Sequence, residues 1–101
     1  MLTAVATLVL LHGTVTIGPT APVCRAGTPC TRRAAHVVLT FRRPGHVRRT
    51  TTDRLGRYRL RLAPGTWYVR ASAGMRIAPA TFVVPRAHSA LRSFRIDTGI
   101  R

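Results

Sequence analysis

The segment Thr52-Asp53-Arg54-Leu55-Gly56-Arg57-Tyr58-Arg59-Leu60-Arg61-Leu62-Ala63-Pro64-Gly65-Thr66-Trp67-Tyr68-Val69-Arg70-Ala71 alternates apolar and arginine residues along an extended chain. Tyr58, Leu60 and Leu62 fall on one face and Arg57, Arg59 and Arg61 on the other, a pattern that no helix produces. Ahead of this strand, Asp53 is placed to cap its own turn through its side chain. Gly56 is placed to take the left-handed position that closes it. Behind it, Pro64-Gly65 reads as a second turn, after which Trp67, Val69 and Ala71 return to the apolar side.

Working outward, the same punctuation continues in both directions. Residues 13–18 read as a strand with Val15 and Ile17 on one face. A loop rich in Pro, Gly and Thr follows to about residue 33. Residues 36–42 form the next strand, with Val37, Leu39 and Phe41 inward. Pro44-Gly45 suits the centre of a type II turn, since proline presets φ and glycine accepts a positive one. Further strands are expected over residues 46–52, 80–84 and 91–97, the last with Phe94 and Ile96 inward. Seven short strands with regular turns predict an all-β antiparallel sandwich or barrel, with no helix and no internal repeat.

The block T-D-x-x-G-x-Y-x-x-x-L-x-P-G-x-W-x-V-x-A at residues 52–71 resembles the carboxypeptidase regulatory-like family. So do Gly13-Thr14-Val15 and the A-x-V-x-L run at residues 35–39. The resemblance covers roughly residues 12–97. It implies a seven-stranded, antiparallel Greek-key β-sandwich of the transthyretin-like (prealbumin-like) type. It also implies a non-catalytic role as a stability module, surface adhesion unit or carbohydrate binder. The chain is similar, more narrowly, to small exported actinobacterial-type proteins. The matching residues are Gly18-Pro19-Thr20-Ala21-Pro22-Val23, Pro29-Cys30 and the ending D-T-G-I-R at residues 97–101. Members of that group carry a cysteine where Ala21 stands and another just before the final motif, where this chain has Ile96. On this division residues 1–11 precede the sandwich, residues 12–97 form it, and residues 98–101 are a tail.

Charge is the anomaly of the composition. Seventeen basic residues, all arginine, face two acids, Asp53 and Asp97, for a formal charge of +15. A GC-rich genome explains arginine in place of lysine but not the missing acids. A domain so charged repels itself and gains from an anionic neighbour. The same shortage argues against an enzyme, because acid–base and nucleophilic chemistry needs a poised group with an orienting partner. His12, His36, His46 and His88 are scattered, the two acids form no dyad, and no metal or cofactor is implied.

Residues 2–11 (LTAVATLVLL) are uncharged and apolar. The run is too short for a transmembrane helix, which needs about 20 residues. It reads either as the remainder of a truncated export signal or as an extension of the first strand. Secretion or attachment to the cell envelope is the expected location, with the cytoplasm as the alternative. Cys24 and Cys30 share the Pro/Gly loop. A disulfide between them would add on the order of 2 kcal/mol and fit an oxidising compartment. Free thiols are the alternative, and zinc is weaker still.

Arg57, Arg59 and Arg61, with Arg48, Arg49 and Arg70 on the neighbouring strands, are the candidate binding residues for an anionic partner. Like charges set side by side in a sheet cost stability, which a neutralising partner would relieve. An ordinary solvated face, with arginine stems lying over the sheet, is the competing reading. Envelope polymers or headgroups fit an exported protein, and nucleic acid fits the charge, with Tyr68 beside Arg70 for stacking. Carbohydrate binding is disfavoured, because the chain has no Asn or Gln. Asp97 is expected either to pair with a neighbouring arginine or to cap a turn.

Overall fold

The computed structural model describes residues 7–19 and 30–99. These residues are all-β. The strands are β1 (Val9–Gly18), β2 (Arg32–Arg33), β3 (Val38–Arg43), β4 (His46–Thr51), β5 (Arg57–Leu62), β6 (Gly65–Ala71), β7 (Arg76–Ala78), β8 (Thr81–Val84), β9 (Ser89–Leu91) and β10 (Phe94–Asp97). They form two sheets. One is built on β1, in the order β2-β1-β10-β7, with β5 and β9 also paired to β1; the other runs β4-β3-β6-β8.

Ten strands stand among the described residues where seven are expected, and the excess has a physical origin. β2, β7 and β9 have two or three residues each, too few for an alternating pattern to register. The strand expected over residues 91–97 is interrupted. Its two pieces, β9 and β10, both run parallel to β1, with Leu11 opposite Ala90 and Ile17 opposite Ile96. The expected all-antiparallel arrangement is therefore corrected to a mixed sheet. The break falls at Arg92, whose carbonyl turns to accept the Tyr58 hydroxyl at 2.5 Å. Gly13 makes this possible, because a Cβ there would overlap that carbonyl.

The two sheets meet through rings. Phe41 and Phe82 from one sheet interlock with Tyr58 and Phe94 from the other, at centroid distances of 5.4 Å for Phe82–Phe94 and 6.2 Å for Phe41–Tyr58. Offset and edge-on rings at such spacings are favourable beyond their burial. Val37, Leu39, Trp67, Val69, Leu62 and Ile96 are buried with them, and Leu60 is half-buried against the cluster. This is a β-sandwich-like core.

Two connections differ from the sequence expectation. Pro64-Gly65 does not close a hairpin, since β5 and β6 lie in different sheets and Gly65, at φ 130°, begins β6. Nor does β5 pair with β4. The Gly56 carbonyl accepts the Val15 N–H at 2.8 Å and delivers β5 onto β1, with Leu62 opposite Val9 and Tyr58 opposite Gly13. The matching parity explains the choice: every inward residue of β5 meets an inward residue of β1. By contrast, β3 and β4 form a true hairpin across Pro44-Gly45, with Gly45 at φ 79°, as a type II turn requires.

β1 begins at Val9, and Val9 and Leu11 are each 1% exposed. The end of the apolar run is therefore core in this fold. Residues 1–6, the first part of that run, lie outside the described residues, as do residues 20–29 and 100–101.

Candidate functional site

Asp53 organises the turn into β5. Its Oδ1 accepts the N–H groups of Leu55 and Arg57 at 2.8 and 2.9 Å, while Oδ2 accepts Arg57 Nε at 3.0 Å. The backbone N–H of Arg57, followed by its guanidinium and the Leu55 N–H, holds the Asp53 carboxyl below its ordinary value. Gly56 sits at φ 74°, and its N–H donates to the Asp53 carbonyl.

The six candidate arginines do not form one face. Arg57, Arg59 and Arg61 project from the outer side of β5, opposite Thr14, His12 and Leu10 of β1. Arg48 and Arg49 lie on β4 and Arg70 on β6, in the other sheet. Arg48 stands opposite the buried Phe41, so it points to the inner side at the open margin of the sandwich. Arg49 stands opposite Thr40 and points outward. The single arginine face expected from neighbouring strands is thus corrected to a set divided between two sheets, whose edge strands β4 and β5 adjoin where Thr50 Oγ1 donates to the Arg59 carbonyl at 3.2 Å. Strand adjacency in sequence suggested hairpins, but β5 pairs across the fold.

The outer side of the second sheet is the more coherent of the two. Arg49, Thr40 and Arg70 form one row, and Val47, Arg42, Tyr68 and Thr81 form the next. Arg42 was missed among the candidates. The alternation of β3 contains it, since Phe41 inward places Arg42 outward. Tyr68 is 55% exposed and is the one exposed Phe, Tyr or Trp among the described residues. Arg42, Arg49 and Arg70 make no side-chain hydrogen bond or ion pair with a described residue, and neither do Arg59 and Arg61.

Three further arginines have structural partners. Arg43 donates from Nη1 to the Pro64 carbonyl at 3.1 Å and lies 5.4 Å from the Trp67 ring centroid. Arg33 donates to the Leu55 carbonyl at 3.1 Å, and Arg92 stacks over Phe82. Asp97, on β10, stands opposite Arg76 of β7, and its Oδ1 accepts the Gly99 N–H at 2.8 Å. Both acids of the chain therefore belong to the first sheet or the turn entering it. The outer face of the second sheet carries none.

His12 and Asp53 line one open groove with Thr14, Arg57, Arg59 and Leu91. The Asp53 oxygens there are already engaged by the turn and by Arg57. His36 occupies a turn at φ 56°, His46 lies near Trp67 at the β3–β4 hairpin, and His88 precedes β9. Among the described residues no group of His, Cys, Asp or Glu could hold a metal ion, and no helix is long and apolar enough to cross a membrane. Cys30 stands just before β2; Cys24, its expected disulfide partner, lies outside the described residues. What the arrangement can do chemically is hold anions by charge-assisted hydrogen bonds.

Set beside protein-family models, characterised proteins and solved structures, the chain matches none. The site must be read from its own chemistry.

Proposed function

We propose that this chain is a non-catalytic interaction module of an exported or cell-envelope protein, which contacts an anionic envelope polymer through outward arginines. One observation carries the proposal. Arg42, Arg49 and Arg70 crowd one acid-free sheet face, where mutual repulsion is relieved by a bound anion. Guanidinium groups are suited to this role, because their planar forks match phosphate and carboxylate oxygens. The seven strands of four or more residues among those described, together with the block at residues 52–71, support placing the domain in the transthyretin-like, Greek-key group.

The test is retention of the full chain on immobilised poly(glycerol phosphate) at low ionic strength. Binding should weaken steeply as salt rises. Absence of retention at low salt refutes the reading. Export predicts in addition a Cys24–Cys30 disulfide in the mature protein, read as resistance to alkylation before reduction. Because Val9 and Leu11 are core, a signal that is cleaved off would have to end before Val9.

A second reading, a cytoplasmic nucleic-acid binder, is favoured by Tyr68, which stands exposed beside Arg42 and two residues from Arg70. It ranks lower because single-stranded recognition stacks successive bases on aromatic side chains, and Trp67, Tyr58 and the three Phe residues are buried. A carbohydrate-binding role ranks third for want of any Asn or Gln.

A further inference from the structure

The two sheets touch along one margin. Thr50 of β4 donates from Oγ1 to the Arg59 carbonyl of β5 at 3.2 Å, although the two strands form no ladder. Thr50 and Thr51 line an open groove with Arg57 and Arg59 of β5 and with His12 and Thr14 of β1. Thr51 shares the outward side of β4 with Arg49, two residues away, so the outer sides of β4 and β5 run into one another here. From the margin the charge continues inward over the second sheet. Arg49 stands opposite Thr40 of β3, Thr40 stands opposite Arg70 of β6, and Arg42 projects from the next row. Arg59, Arg61, Arg49, Arg42 and Arg70 are all exposed and make no side-chain bond to a described residue. Neighbouring strands lie roughly 5 Å apart, so this band is on the order of 15 Å across from β5 to β6. Asp53 borders it in the groove, its oxygens engaged by the turn and by Arg57. Arg95 is also outward and exposed, but it stands on β10 opposite Thr16 and Ala78, with β1 between it and β5.

We infer that the arginines of both sheets form one track, which holds a single segment of acidic polymer crossing the strands from β5 over β4 and β3 to β6. The inference rests on the function proposed above and extends its site across the margin to Arg59 and Arg61. A track of this kind collects guanidinium groups from four strands onto one chain of phosphates, with the outward Thr40 and Thr51 hydroxyls among them. Linked phosphates engage such a row at high effective concentration, which separate small anions do not share. The outer sides of packed sheets face apart, so a surface that passes from one sheet to the other curves. A flexible polymer follows that curve. A DNA duplex, stiff over roughly 50 nm, touches only part of it.

The experiment uses the full chain and glycerol phosphate oligomers of increasing length. Calorimetric titration should show one oligomer per domain, with affinity rising with length and then levelling once the track is filled. Arg61→Gln and Arg70→Gln remove one charge from opposite ends of the track. Each should weaken the long oligomer roughly fivefold, as for one exposed charge pair, and should make its binding less steeply dependent on salt. Arg95→Gln removes the same charge off the track and should change affinity far less. The three positions are exposed, so circular dichroism should show every variant folded.

Two oligomers per domain, or a long oligomer weakened by Arg70→Gln but not by Arg61→Gln, overturns the single track while leaving the proposed function standing. An equal loss from Arg95→Gln does the same, since net charge alone would then set the binding. No binding by the wild type at low salt removes the proposed function and this inference together. Tighter binding of single-stranded or duplex DNA than of the glycerol phosphate oligomer, at equal salt, overturns the assignment of the partner.

Discussion

Thr52 is the buried polar residue among those described, at 1% exposure, and replacing it tests how the fold is held at its least obvious point. Its Oγ1 accepts the Val37 N–H at 2.8 Å and donates to the Ala34 carbonyl at 2.5 Å. Its backbone N–H donates to the Val37 carbonyl, and its carbonyl accepts the His36 N–H. One residue thus ties the turn before β3, including His36 at φ 56°, to the end of β4. Thr52→Val conserves shape and removes only the hydroxyl. Two buried backbone groups then lose their partner, each at about 1–3 kcal/mol, so a net loss of about 2–4 kcal/mol is expected after partial relaxation. Thr52→Ser keeps both bonds and loses one buried methyl, at about 1 kcal/mol. Urea denaturation should show a lower midpoint at unchanged slope for both variants, with Val the more damaging. In thermal unfolding the Val variant should fall by roughly 10–25 °C. Equal stability of the Val variant and the wild type, or a Ser variant worse than Val, refutes the role assigned to the hydroxyl.

Leu11→Ala should cost about 2–5 kcal/mol in the same assay, because Leu11 is core; a neutral result would remove residues 9–11 from the folded domain. Gly13→Ala places a Cβ on the Arg92 carbonyl and should destabilise by about 1–3 kcal/mol, with the Tyr58–Arg92 bond disturbed. Asp53 has a folded-state pKa below its ordinary 3.8, so its contribution is complete above 3.8 and is lost as the pH falls through the lowered value. Asp53→Asn should remove that acid dependence from the urea midpoint, and an unchanged acid limb would refute the assignment. Tyr68→Ala should leave stability within about 0.5 kcal/mol, since its ring is exposed, while weakening retention on the anionic polymer.

The strand faces were legible because alternation is a local property. Tyr58, Leu62, Trp67, Val69, Phe94 and Ile96 are buried on the sides that the period of two assigns them. The Asp53–Gly56 turn was legible for a similar reason: an aspartate bonding two residues ahead and a glycine at positive φ are settled within a few residues. Thr52 was not legible. It ends a polar run of three threonines, and nothing in that run separates the buried one from its exposed neighbour Thr51. Arg42 could have been placed outward from Phe41. That it joins Arg49 and Arg70 depends on β3 lying between β4 and β6.

By itself, the sequence determined the longer strands, their inward residues and the excess of positive charge, since each follows from spacing or from a count. Only the tertiary structure decided which strands pair. β5 is adjacent in sequence to β4 and β6, yet it is carried to β1 by the Gly56–Val15 hydrogen bond and by matched parity. Strand pairing is set by long-range register and packing, which no local pattern encodes. That one choice divided the candidate arginines between two sheets.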